Sequence, residues 1–174
     1  IAMDATGVLV QAKEKCRRGH YWVLVADNDH VLFRYTPRHV QDGPKEFLRG
    51  YKGYVLADAH NVYELLYNTE EVTEVGCWAH CRRYFFNALL SDKDRALTGI
   101  GYIARLYGID DEVKQKDLPP DARTRERRRL AQPIIDAFRV WLDVEGLQAL
   151  PKSPIGQAIG YARNQWIPLT RFLE

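Results

Sequence analysis

Several things that would tie a chain to a membrane or to an oxidising compartment are scarce or missing here. Three cysteines in 174 residues, irregularly spaced, argue against a disulfide framework and favour a reducing compartment. No apolar run approaches the ~20 residues of a membrane span, and no secretory leader is visible. A large charge of one sign is also lacking. Twenty-five basic against 23 acidic residues leave +2, so bulk charge does not announce a nucleic-acid partner, although a local basic surface still does so where it occurs. There is no internal repeat and no low-complexity tract. What remains is the composition of a soluble, cytoplasmic protein, 46% hydrophobic, with one sizeable core and room for an insertion. An initiator Met is missing too, and the chain stops inside a helical pattern. It is therefore expected to be a piece of a longer protein.

The first half reads as strands. Residues 20–27 (HYWVLVAD) are β-branched and aromatic, and residues 31–36 (VLFRYT) follow after Asp27-Asn28-Asp29-His30, which is turn chemistry. The two runs predict an antiparallel hairpin. Residues 1–6, extended through Val8-Leu9-Val10, predict the first strand of the same meander. Residues 37–48 predict a helix, and Gly50 and Gly53 frame the turn into a strand over 54–58. The order is β–β–β–α–β, with the last strand expected to run parallel to the first. A short helix through Val62, Leu65 and Leu66 and a strand over 72–75 come next. From Ala79 on, apolar residues recur at three- and four-residue steps. Helices are expected through Trp78, Tyr84, Phe85, Leu89 and Leu90, around Leu97–Tyr107 and around Leu130–Leu142. Leu118-Pro119-Pro120-Asp121 is a break and a helix start. Pro151 and Pro154 break the chain again before a helix from Ile155 to Trp166.

Two of these strands end on a carboxylate. Asp4 closes Ile1-Ala2-Met3, and Asp58 closes Tyr54-Val55-Leu56-Ala57. In open α/β sheets, sites form at the carboxyl ends of strands. A pair of convergent aspartates there suits two divalent ions roughly 4 Å apart, with Mg²⁺ or Mn²⁺ preferred by hard oxygen donors. The plainer reading is that strand-end aspartates cap turns. Asp58 before Ala59-His60-Asn61 also fits a helix N-cap.

A second motif, Gly76-Cys77-Trp78-Ala79-His80-Cys81-Arg82-Arg83, follows. Cys77 and His80 are three residues apart, and with Cys16 and His20 they would make four zinc ligands, but the pairs are far apart and unusually spaced, and burial, a common fate of a free thiol, is the better reading of Cys77. Arg82 and Arg83 adjoin the motif. The 123–129 run holds five arginines, with Glu126 among them. Such clusters fit a phosphate backbone or a solvated helix face. Trp78, Trp141 and Trp166 stand at apolar helix positions and read as core.

Taken together, Met3-Asp4-Ala5-Thr6, Leu32-Phe33-Arg34-Tyr35, Gly53-Tyr54-Val55-Leu56-Ala57-Asp58-Ala59, the 76–83 motif and Tyr161-Ala162-Arg163-Asn164-Gln165-Trp166 make the whole chain resemble the transposases of the IS66 family of bacterial insertion sequences. Where the family often has Asp-Glu-Thr, this chain has Asp4-Ala5-Thr6, with the aspartate kept. The resemblance implies an α/β, ribonuclease-H-like mixed sheet followed by a mostly helical insertion. Residues 1–75 would be the partial catalytic core, and 76–174 the insertion and the start of the return to the core. It implies a DDE triad, with Asp4 and Asp58 as the first two carboxylates, both catalytic and both metal-binding. Cys77 and His80 resemble a Cys-x-x-His element that shapes the site or grips DNA.

The resemblance also implies what is missing. The third glutamate of the family lies in an Asn-Asn-x-x-Glu segment beyond this chain. Glu174 stands ahead of that segment, and Glu126 and Glu145 match nothing catalytic. The implied reaction is metal-dependent cleavage at transposon ends and transfer of the freed strand to target DNA. The enzyme would act at the bacterial nucleoid as a homo-oligomer. Arg82, Arg83, Arg123 and Arg127 would contact DNA phosphates. With two of three carboxylates, residues 1–174 alone are expected not to catalyse. The alternatives are a ribonuclease-H-like nuclease without strand transfer, a non-catalytic DNA-binding module and a zinc-stabilised interaction domain.

Overall fold

A computed structural model describes residues 1–27, 29–69 and 71–174. It divides into two compact units, Ile1–Cys77 and Trp78–Glu174. The first is a five-stranded mixed sheet with short helices. Its strands are β1 (Ala2–Val10), β2 (Arg17–Ala26), β3 (His30–Thr36), β4 (Gly53–Ala57) and β5 (Val72–Gly76). Their order in the sheet is β3-β2-β1-β4-β5. β1, β2 and β3 pair antiparallel, while β4 runs parallel to both β1 and β5. The expected α/β class, the hairpin and the parallel return are all present. The turn between β2 and β3 falls partly on Asn28, outside the described residues. Asp27 enters that turn at φ +47°, a conformation aspartate tolerates.

Alternation along the strands decides which face is buried. Met3, Trp22, Leu24, Val55 and Ala57 point one way and form the first core with Leu48, Val62, Tyr63, Leu66 and Val72. Leu48 caps α1 (Asp42–Phe47), Val62 and Tyr63 lie in a 3₁₀ turn (Asn61–Tyr63), Leu66 is in α2 (Glu64–Tyr67) and Val72 opens β5. The opposite face keeps Tyr21, Phe33, Tyr35 and Tyr54 exposed. Trp22 is the keystone of the buried face. It is wholly buried, packs edge-on to Phe47 and Tyr63, and donates its indole N–H to the Thr36 hydroxyl at 2.8 Å.

The helix expected over 37–48 is shorter in the structure, Asp42–Phe47. Pro44 is the reason. In a helix starting at residue 37 its ring would meet the carbonyl four residues back, whereas in the first turn it is harmless. Residues 37–41 are instead held as a bend, where the Thr36 hydroxyl donates to the Arg38 carbonyl at 2.7 Å.

The second unit is helical: α3 (Trp78–Asn87), α4 (Lys93–Gln115), α5 (Pro120–Gly146), α6 (Pro154–Asn164) and α7 (Trp166–Thr170). Pro120 and Pro154 each sit in a first turn, as their helix-start signal predicts. The helix expected through Trp166 stops at Asn164. Pro168 again forces a fresh start, placing itself in the first turn of α7. Pro133 is the exception, lying inside α5. Asp92 and Ser153 cap α4 and α6 by accepting the N–H of Arg95 and Gly156. The core gathers around Phe138, stacked on Tyr102 at 4.7 Å and flanked by Trp78, Phe85, Trp141 and Trp166. The three tryptophans read as core do pack there.

Candidate active site

Asp58 directly follows β4, as expected, but Asp4 does not end its strand: it is the third residue of β1, because the alternating run continues through Val8-Leu9-Val10 paired with β2. The parallel register pairs Ala2 with Leu56. It is held by the Leu56 N–H on the Ile1 carbonyl at 2.8 Å and by the Ile1 nitrogen on the Tyr54 carbonyl at 2.9 Å. Two residues further along each chain stand Asp4 and Asp58. They therefore lie level across adjacent strands, whose spacing is roughly 5 Å. The buried Tyr63 hydroxyl senses both. Desolvation first, then the charges of Asp58 and Asp4, raise its pKa above the ordinary phenol value.

The carboxylates are locally oriented. Asp4 Oδ1 accepts the Ala5 N–H at 2.8 Å, and Asp58 Oδ1 accepts the His60 N–H at 3.2 Å. Asp58 is not the helix cap that the sequence also allowed. That role falls to His60, whose Nδ1 accepts the Val62 N–H at 3.1 Å.

His60 belongs to an arrangement with no sequence signal. Its ring lies 4.7 Å from that of His39, which stacks on His20 at 4.6 Å and leans on Trp22 at 5.1 Å. Three histidines from three separate segments thus form a column ending at the Asp58 loop. The His39 pKa is lowered from the ordinary imidazole value. Burial is the main cause, then the charges of His60 and His20. Asp58 pulls the other way, and Arg18 adds a small further lowering. A depressed histidine favours the neutral folded form. The stability it carries is intact above about pH 6.5 and is lost as pH falls through its lowered pKa. Acidifying from about pH 7.5 to about pH 5.5 should lower the thermal midpoint, and His39→Phe should remove part of that loss. An identical acid response in wild type and variant would contradict this account.

The other expected site residues are less gathered. Cys77 is half-buried just after β5; Cys81 is the fully buried thiol, and no cysteine forms a disulfide. His80 Nδ1 and Trp78 Nε1 are buried without a hydrogen-bond partner among the described residues. No group of three or more His, Cys, Asp or Glu among the described residues is arranged to hold a metal. The four-ligand zinc set is therefore not assembled, and Asp4 and Asp58 have no third partner there. Arg82 and Arg83 are exposed on α3. The 123–129 run is largely tied within the helical unit. Arg123 donates to the Leu118 carbonyl, Arg127 pairs with Asp110, Arg128 holds the Leu173 carbonyl and Arg129 pairs with Glu126. Arg129 and then Lys116 pull Glu126 down to about 2. Isolated sequence could not show these commitments, because the partners Asp110 and Leu173 lie far along the chain.

A cavity lined by Asp42, Leu48, Tyr51, Leu66 and Val72 opens at the N-terminal ends of β4 and β5, the sheet edge opposite the aspartates. No helix is long and apolar enough to cross a membrane among the described residues.

Comparison with known proteins bears on this geometry. The family described as "Transposase IS66 family" matches residues 1–174. An uncharacterized protein of Sinorhizobium fredii (strain NBRC 101917 / NGR234), y4qI, is 29% identical over 82% of this chain and 28% of its own length. A second from the same strain, y4hP, is 24% identical over 98% of this chain and 35% of its own length. The chain thus spans about a third of the length of these curated relatives. No solved structure matches.

Proposed function

The chain belongs to the IS66 family of transposases, and we propose that its parent protein is a DDE-type enzyme that cuts DNA at the ends of an insertion sequence and joins the freed strand to target DNA. The observation that carries the proposal is the Ala2–Leu56 parallel register; carried two residues on, it sets Asp58, at the carboxyl end of β4, level with Asp4 inside the adjacent β1. The β–β–β–α–β order with a parallel return supports a ribonuclease-H-like assignment of the sheet.

The donor set suits Mg²⁺ or Mn²⁺. Each aspartate uses Oδ1 on a main-chain N–H, leaving an anionic oxygen for a hard cation. Bound metal ions would activate the attacking water or 3′-hydroxyl and stabilise the leaving oxygen. The chain's own contribution is positioning. Asp4 is held on a sheet strand, and the Asp58 loop is fixed through the His60 N–H and the His60–Val62 bond. Phosphoryl transfer depends chiefly on such positioning and on electrostatics. A third ligand would come from elsewhere in the parent protein. Exposed Arg82 and Arg83 are assigned phosphate contacts ahead of Arg123 and Arg127, whose guanidinium groups already have partners. Cys77 and His80 are assigned to shaping the site, and the active complex to a homo-oligomer on DNA.

Full-length protein supplied with pre-cleaved element ends and Mg²⁺ should give joined product. Hydrolysis without joining would instead indicate a nuclease. Residues 1–174 alone should nick nothing; Mg²⁺-dependent nicking by this piece would refute the need for a third carboxylate.

A further inference from the structure

β1 does not stop at the candidate site. It runs six residues past Asp4, to Val10, paired with β2 down to Arg17. The sheet narrows along the way. β4 pairs with β1 only near Ala2, and β3 leaves β2 at His20. From Val8 and Gly19 outward, β1 and β2 are a two-stranded ribbon standing roughly 20 Å beyond the carboxylate edge, at about 3.3 Å per residue.

The ribbon tip is cationic. Lys13, Lys15, Arg17 and Arg18 are all exposed, with Glu14 the one carboxylate among them. The whole chain carries a net charge of only +2, so the tip's four cations and one carboxylate leave the remainder slightly negative. None of these four cations joins an ion pair among the described residues, whereas Arg95, Arg127, Arg129, Arg139 and Arg163 of the helical unit do. Gly7 matters here, because a Cβ there would fall 2.5 Å from Arg18 Nε. The bare backbone lets the Arg18 side chain lie across the ribbon.

We infer that the β1–β2 ribbon is a DNA arm, whose Lys13, Lys15 and Arg17 grip phosphates of duplex flanking the strand held at Asp4 and Asp58. A two-stranded ribbon fits the major groove, and unpaired, exposed cations gain most from displacing counterions. The reach of roughly 20 Å corresponds to about six nucleotides from the cleavage point, at about 3.4 Å each. The inference rests on the proposed DNA-cleaving role but names a surface that role does not require.

The test is duplex binding by residues 1–174 across a salt series, comparing wild type with Lys13→Gln/Lys15→Gln/Arg17→Gln. The triple variant should bind more weakly on every sequence. Its slope of log affinity against log salt should fall by about 0.9 per neutralised side chain. Lys13→Arg/Lys15→Arg should keep the slope, as should Lys93→Gln/Lys152→Gln in the helical unit. An unchanged slope in the triple variant, or an equal fall in the helical-unit control, overturns the arm. A parallel arm uses full-length protein carrying Asp4→Asn. If that variant loses cleavage while the ribbon variant binds normally, the arm alone has failed. If Asp4→Asn changes nothing while the ribbon variant loses its slope, the arm stands and the catalytic reading has failed.

Discussion

Asp4→Asn and Asp58→Asn, each introduced into the full-length protein, should abolish Mg²⁺-dependent strand cleavage, with losses on the order of a thousandfold or more. The magnitude follows from what these groups do. Removing an outer-shell partner of a metal ligand already costs about 10–100-fold, and here the ligand itself is lost. Asparagine keeps the size and the acceptor oxygen but removes the charge that a hard cation requires. Folding should survive. Asp4 is exposed and Asp58 half-exposed, and isosteric surface changes shift stability by about 0.5 kcal/mol or less. The diagnostic pattern is therefore lost cleavage with unchanged thermal midpoint and unchanged DNA affinity. Full activity in both variants would leave a DNA-binding module as the better description.

The largest effect on stability is expected at Trp22. Trp22→Ala should destabilise the sheet unit by about 3–5 kcal/mol, a large share of the roughly 5–15 kcal/mol that holds a domain together. Three losses coincide. The wholly buried indole leaves a cavity between Phe47 and Tyr63. The Thr36 hydroxyl loses its donor while still held to the Arg38 carbonyl. The histidine column loses its support at His39. Trp22→Phe should recover much of the packing but not the Thr36 bond, and should fall between the two. Denaturant unfolding of the chain measures all three proteins. A Trp22→Ala midpoint equal to wild type would mean that the first core does not depend on this side chain.

Much of the secondary structure was legible because it is written in local chemistry. Alternation placed β2 and β3, and prolines at 120 and 154 marked helix starts. Where the reading missed, at residues 37–41 and again at Trp166, a proline further along decided the helix start. The rule was the same, but it had to be applied at Pro44 and Pro168. Asp58 was visible as a strand-end residue, Asp4 was read as one but lies inside β1, and the resemblance made them a pair. Their level placement depends on pairing between strands more than fifty residues apart.

The chain's sequence alone determined its element types, its α/β class, its likeness to a known family and the two carboxylates worth testing. Local propensity, periodicity and motif spacing carry that information. Tertiary structure alone decided the Ala2–Leu56 register, the clustering of His20, His39 and His60, the capture of Arg127 by Asp110 and the narrowing of the sheet into a basic ribbon. Each of these depends on which distant segments share one packed or paired surface, and no local pattern of residues encodes that choice.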